Sequence, residues 1–424
     1  MSTTPPTAPL KTSRVISGSP VYYGWVILLA GTFGMFMTTP GQTLGVSVFL
    51  DRIIQDLGLS RASVSLLYTI GTLLGSFSLP FIGRFIDVRG PRIAVVIISG
   101  LFALACVWMG FVGGPLTLLV GFILIRGLGQ GALGLVSLHV INLWFVRRRG
   151  LAVGLSGLGM AIATALFPFA IEALIGAFGW RGAYVVLGGV VVTTILPLGA
   201  SLYRGKPELY GLRPDSRVQT AEAGVQERRY TLPQTRRTVT FWLFVSGDFF
   251  GAALGTGLIF HHYDIMAGGG IDRLAAAAVF VPFGFITAGS NLLTGVLMDR
   301  VPPRFLLSAS LLLLCTSLIF AAYVTTPALV LVYGAVLGVA QGMRAAVSGS
   351  AYAHFFGRTH IGSIKGFTAT LTVAGTAFGP LIFALGHGWF GGYAPILLLS
   401  ALPPLLAAFI APFFGPFRAD GSVR

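Results

Sequence analysis

Four ionisable side chains stand inside long apolar stretches of the chain: Arg126, Arg344, Asp248 and Glu172. An ion in such surroundings costs several kcal/mol unless it is paired, hydrated or put to use, so each is a candidate for binding or proton transfer. Arg126 lies about eleven residues into its run, or about 16 Å along a helix, and Arg344 about seventeen residues into its own. Two cations with few acids nearby suit an anionic ligand. Asp248 has two readings of equal standing, a proton carrier or the structural partner of Arg344. Glu172 lies a turn from the end of its run, within reach of water, and is a second proton-coupling candidate. His261, His262 and Asp264 cluster at another run's end. His261 is a third candidate, because imidazole titrates near neutral pH, or else it belongs to a solvated helix end. Adjacent histidines on a helix point about 100° apart, which rules out their sharing a metal ion. Gln42, Thr43, Tyr68 and Tyr352 are uncharged polar groups in apolar runs and complete the candidate lining.

The elements that must position these residues follow from composition. Of 424 residues, 55% are hydrophobic and 10% are charged, whereas an ordinary soluble domain carries about 25% charged residues. Such a chain cannot coat a soluble globule with charge, which excludes a soluble enzyme, a DNA-binding domain and a secreted disulfide scaffold. Cys106 and Cys315 both fall in apolar runs, so neither a disulfide framework nor a metal site is expected. A bilayer core needs about 20 apolar residues per helix. Turn residues at Gly113-Gly114-Pro115, Thr325-Thr326-Pro327 and 386–392 divide the longest runs. The division predicts an all-α integral membrane protein with twelve spans, near 21–49, 62–82, 92–112, 116–145, 150–178, 183–203, 240–266, 274–298, 304–324, 328–356, 362–387 and 393–415. Residues 1–20 read as a polar N-terminal tail and 417–424 as a C-terminal one. Residues 21–204 and 240–416 form two six-helix bundles, joined by the polar linker 205–239.

The net charge of +15 is resolved by position. With both termini in the cytoplasm, 22 of the 28 Lys and Arg fall inside, four fall outside (Arg52, Arg61, Arg181, Arg273) and two lie in the membrane. That is the distribution of the positive-inside rule, so the excess reflects topology in the inner cell membrane rather than a nucleic-acid partner.

The halves also repeat each other at an offset of 211–212 residues: Gly83, Asp87 and Arg92 recur as Gly295, Asp299 and Arg304, and Gln130-Gly131 as Gln341-Gly342. Parallel six-helix repeats are the architecture of rocking transporters. The segment from Gly83 through Asp87 to Arg92 resembles the GxxxDrxGrr signature of the major facilitator superfamily, and Arg126 to Gly131 resembles its helix-4 element. Trp144 to Gly154 and the entry Tyr22-Tyr23-Gly24-Trp25 resemble the monocarboxylate and oxalate/formate transporter group. The resemblance implies a secondary active transporter of a small carboxylate-bearing anion. It would work as a monomer by alternating access, coupled to protons or counter-substrate, with no catalytic residue and no cofactor. Gly83, Asp87, Arg92, Gly295, Asp299 and Arg304 would form its gating motif. In that group a helix-8 arginine four residues before the second-half glycine binds the carboxylate; here the position is Asn291, which offers hydrogen bonds while Arg126 or Arg344 supplies the charge. The alternatives are an efflux permease for amphipathic solutes, whose helix-5 GPxxGG element is replaced by Phe167-Pro168-Phe169-Ala170, and a non-transporting membrane sensor.

Overall fold

The computed structural model describes residues 12–145, 149–212, 230–298, 300–356 and 361–414. Among them every regular element is a helix. We number the spans α1 (Tyr23–Phe36 and Thr43–Leu57), α2 (Arg61–Ser76, continued by Leu79–Arg89), α3 (Pro91–Gly110), α4 (Pro115–Trp144), α5 and α6 (the two limbs of Arg149–Leu202), α7 (Val239–Phe260), α8 (Arg273–Leu297), α9 (Pro303–Tyr323), α10 (Pro327–Phe356), α11 (Ile361–Phe390) and α12 (Tyr393–Ile410). The 54 residues of Arg149–Leu202 are far too many for one bilayer crossing. Gly179, at φ 67°, turns the chain between α5 and α6 in a conformation that L side chains resist.

Three elements depart from the sequence expectation. The first span, expected as one helix over 21–49, breaks after Phe36 and restarts at Thr43. Pro40 has no N–H to continue the ladder, and Thr38 and Thr39 turn their hydroxyls back onto the carbonyls of Met35 and Phe36 at 2.7 Å each. The seventh span stops at Phe260, and a short helix, His262–Gly268, follows it. The segment carrying Gly83 and Asp87, expected as a loop, is helical up to Arg89, and the turn falls on Gly90 at φ 83°.

Among the described residues the two halves share an apolar core toward one end. A large apolar cluster runs through the first six helices and continues into the last six at the face away from the chain termini, through Leu258, Phe280, Tyr333 and Phe383. At the terminal face the last six close around a separate cluster that includes Phe241, Leu307, Tyr352 and Phe356. Across the halves α11 packs on α2 and α8 on α5. There Thr69 donates to the carbonyl of Ala377 at 2.7 Å, and Gly284 lies against the carbonyl of Ala161.

Candidate functional site

Arg126 is 3% exposed and sits where the broken α1 meets α4. Around it, Ile125–Leu133 winds as a π-helix, with the wider turn that is frequent at functional sites. Its guanidinium donates from Nε to Thr72 Oγ1 at 3.1 Å and from Nη1 to the carbonyl of Gly41 at 3.1 Å. Nη1 also reaches Thr43 Oγ1 at 3.4 Å. The ring of Tyr68 lies under it, 4.8 Å from the guanidinium carbon to the centroid, and the Tyr68 hydroxyl meets Thr43 at 2.8 Å. Nη2 is buried and finds no acceptor, and no carboxylate pairs with Arg126 among the described residues. The break in α1 thus frees a carbonyl for the cation while leaving part of the cation's donor set unused. Gln42 precedes the restart of α1 without a side-chain capping bond, and its amide donates to Thr38 at 3.1 Å.

The approach of α1 to α4 depends on Gly41. A Cβ there would lie 2.2 Å from the carbonyl oxygen of Ile125 and 3.1 Å from Cα of Gly129. Backbone cannot yield as a side chain would, so Gly41→Ala is expected to cost about 1–3 kcal/mol. Thermal unfolding in detergent checks this, with Gly100→Ala, whose Cβ meets nothing within 4 Å of its place inside α3, expected as a neutral to slightly stabilising control.

Asp248 and Arg344 stand together in the other half. Asp248, 5% exposed, accepts at Oδ2 from Ser348 and from Tyr352, both at 2.9 Å. Arg344 Nη1 is 3.9 Å from Asp248 Oδ1, and its Nε donates to Gln341 Oε1 at 2.9 Å. Gln341 in turn donates to the carbonyl of Gly251 at 3.2 Å, tying α10 to α7. Asn291 lies half-buried on α8, its backbone N close against Gly342 of α10.

At the face away from the termini, the other candidates enter an arginine–carboxylate network. Arg273 binds Asp51 at 2.9 Å and also pairs with Glu172. Arg61 holds Asp51 at 2.9 Å and Asp264 at 3.0 Å, and Arg52 reaches Glu172 at 3.3 Å. With Arg181 on Asp56, each of the four arginines that the charge tally puts on this side has a carboxylate. The network ties α1, α2 and α5 to α8 and to the segment after α7, and so bridges the halves. Burial alone would raise the Asp51 carboxyl, which lies beyond the apolar part of α1, but Arg61 and Arg273 hold it below its ordinary value. Its contribution is therefore complete at neutral pH and is lost only as the pH falls below about 4. His261, in contrast, is fully buried: its ring meets the carbonyl of Pro380 at 2.7 Å and the Tyr393 hydroxyl at 3.1 Å. The helix end is thus packed rather than solvated.

In the repeated motif, Gly83 lies in the last turns of α2, Gly295 near the end of α8, and Arg92 Nε donates to the carbonyl of Ala200 at 2.7 Å. Arg304 lies over the ring of Phe305, 5.0 Å to its centroid. The side chain of Asp87, and Asp299 altogether, lie outside the described residues. The sequence singled out Glu172 but not Asp51 and Arg273 as its companions, since they are 222 positions apart. The available signal was the small number of arginines on that side together with acids at neighbouring helix ends.

Comparison with known proteins places this geometry in context. The family model of the Major Facilitator Superfamily matches residues 25–288. Monocarboxylate transporter 6 of Mus musculus is 27% identical over 184 residues, which cover 42% of this chain and 38% of that protein. The chain thus spans well under half the length of that relative. The oxalate:formate antiporter of Oxalobacter formigenes is 23% identical over 402 residues, 92% of each chain. A solved structure of a bacterial homologue of the human lysosomal transporter Spinster, inward-facing and occupied, superposes with a TM-score of 0.69 at 19% identity, covering 93% of this chain and 96% of that one.

Proposed function

The chain belongs to the Major Facilitator Superfamily, and from that premise we propose that it is a secondary active transporter of a small carboxylate-bearing anion. The observation that carries this reading is Arg126, a buried guanidinium mid-span with no acidic partner among the described residues and a free Nη2. A desolvated cation needs a counter-charge, and a carboxylate supplies it with the planar acceptor geometry that guanidinium prefers. Relatives whose names specify monocarboxylates and an oxalate–formate exchange support the same substrate class. Arg344 offers a second cation from the other half, partly neutralised by Asp248. Asn291, Gln42, Tyr68 and Tyr352 are assigned to the substrate pathway as uncharged donors.

Transport proceeds by alternating access, driven by protons or by counter-substrate. Asp248 is the foremost proton site, with Glu172 and His261 behind it. The protein works as a monomer in the cell membrane with both termini in the cytoplasm. The arginine–carboxylate network is the gate on the side away from the termini, and the repeated motif of Gly83, Asp87, Arg92, Gly295, Asp299 and Arg304 is its counterpart on the terminal side. Arg273→Gln removes two of the gate's ion pairs and should raise the share of molecules open on that side about fivefold, or ~1 kcal/mol. Labelling of Thr69→Cys, at the contact of α2 with α11, by an impermeant thiol reagent reads this directly. An unchanged labelling rate would contradict the gate.

The substrate class is tested by uptake of labelled mono- and dicarboxylates and of cationic dyes into proteoliposomes under an imposed pH gradient. Carboxylate accumulation is expected, and transport of dyes alone would overturn the proposal in favour of an amphipathic-solute efflux permease.

A further inference from the structure

Beside the pathway, where the N-terminal segment crosses the ends of α3 and α6, lies a cavity of about 720 Å³. Four arginines line it, Arg14, Arg89, Arg92 and Arg204, and no Asp or Glu is among its lining residues. Arg204 is 6% exposed, yet its contacts are the Ser13 hydroxyl at 3.3 Å and its neighbour's carbonyl, that of Tyr203, at 2.8 Å. Arg92 spends its Nε on the carbonyl of Ala200. No ion pair joins any of the four to a carboxylate among the described residues. In contrast, the four arginines at the opposite face all have acids.

The same cavity is bounded by the first turn of α3, which opens at Pro91 after Gly90 without a side-chain cap. Its unused N–H groups add to the positive potential. Its wall is apolar on the other side. Ile93 and Ile97 are 48% and 44% exposed in the first two turns of α3. Concentrated positive charge at a helix end beside exposed aliphatic surface is the chemistry of an anionic phospholipid site. A freely soluble phosphate would use the arginines and leave the isoleucines bare.

We propose that this cavity binds the phosphate headgroup of an anionic phospholipid, with its acyl chains along Ile93 and Ile97 of α3. The site is separate from the substrate pathway and does not depend on which solute is carried. Each surface arginine is worth about fivefold in affinity for an anionic lipid. Arg14 and Arg89 are exposed, and neither side chain makes a hydrogen bond or ion pair among the described residues, so their double replacement tests binding with little threat to the fold. The full chain is exchanged into nanodiscs of phosphatidylcholine with phosphatidylglycerol, released into detergent, and weighed by native mass spectrometry. Wild type should retain phosphatidylglycerol in preference to phosphatidylcholine. The Arg14→Gln, Arg89→Gln double variant should bind it about thirtyfold more weakly, and millimolar inorganic phosphate should not displace it. Equal retention by the variant, or equal retention of phosphatidylcholine, would overturn the site. Displacement by inorganic phosphate would overturn its assignment to a lipid.

Discussion

Arg126→Gln is expected to lower carboxylate uptake at subsaturating substrate by about a hundredfold, since a hydrogen bond to a charged group is worth about 1.5–3 kcal/mol and the long-range charge term is lost with it. The glutamine can still donate to Thr72 or to the carbonyl of Gly41, so the junction of α1 with α4 keeps a tether. A melting temperature near that of wild type will separate loss of the site from loss of the fold. Arg126→Lys is the sharper companion. It keeps the charge but gives up the planar fork that now reaches Gly41, Thr43 and Thr72 at once. It should recover only part of the uptake. If lysine restores full transport, charge alone matters and the geometry of Nη2 carries no weight.

Asp248→Asn is the second large effect, and it falls on coupling rather than on recognition. Asparagine retains a carbonyl oxygen for the hydroxyls of Ser348 and Tyr352, which donate to Asp248 in the native protein. It cannot take up and release a proton. In proteoliposomes, gradient-driven accumulation should fall to simple equilibration, while counterflow exchange of labelled for unlabelled substrate continues. Loss of both would make Asp248 the structural partner of Arg344, which is 3.9 Å away. Retention of both would remove it from the transport cycle.

Hydropathy carries most of the helical architecture, because the bilayer dictates the length of a span. Arg126 and Arg344 stood out for the same reason: a charge in an apolar run is rare enough to be seen without a structure. What escaped were local backbone events. The break at 37–42 was foreshadowed by Pro40-Gly41, but hydropathy averaged over a span is blind to a gap of six residues. The π-helical turn around Arg126 lies against that break, and no residue pattern announces it. From sequence alone His261 is either a solvated or a functional residue, and the packing of Pro380 and Tyr393 over it is information from other helices. Likewise the Arg61, Asp51, Arg273 and Glu172 network joins residues from both halves of the chain. Single positions showed its charges, and only the fold shows which charges meet.

Arg126 has no carboxylate partner among the described residues, and in the proposed mechanism a substrate carboxylate takes that place. Equilibrium binding of radiolabelled oxalate and of a labelled monocarboxylate to the purified chain, beside the Arg126→Gln variant, tests it most directly. Saturable binding by the native protein, reduced about a hundredfold in the variant, is the predicted result. Equal binding by the two proteins, or no carboxylate binding by the native chain, would contradict that role for Arg126.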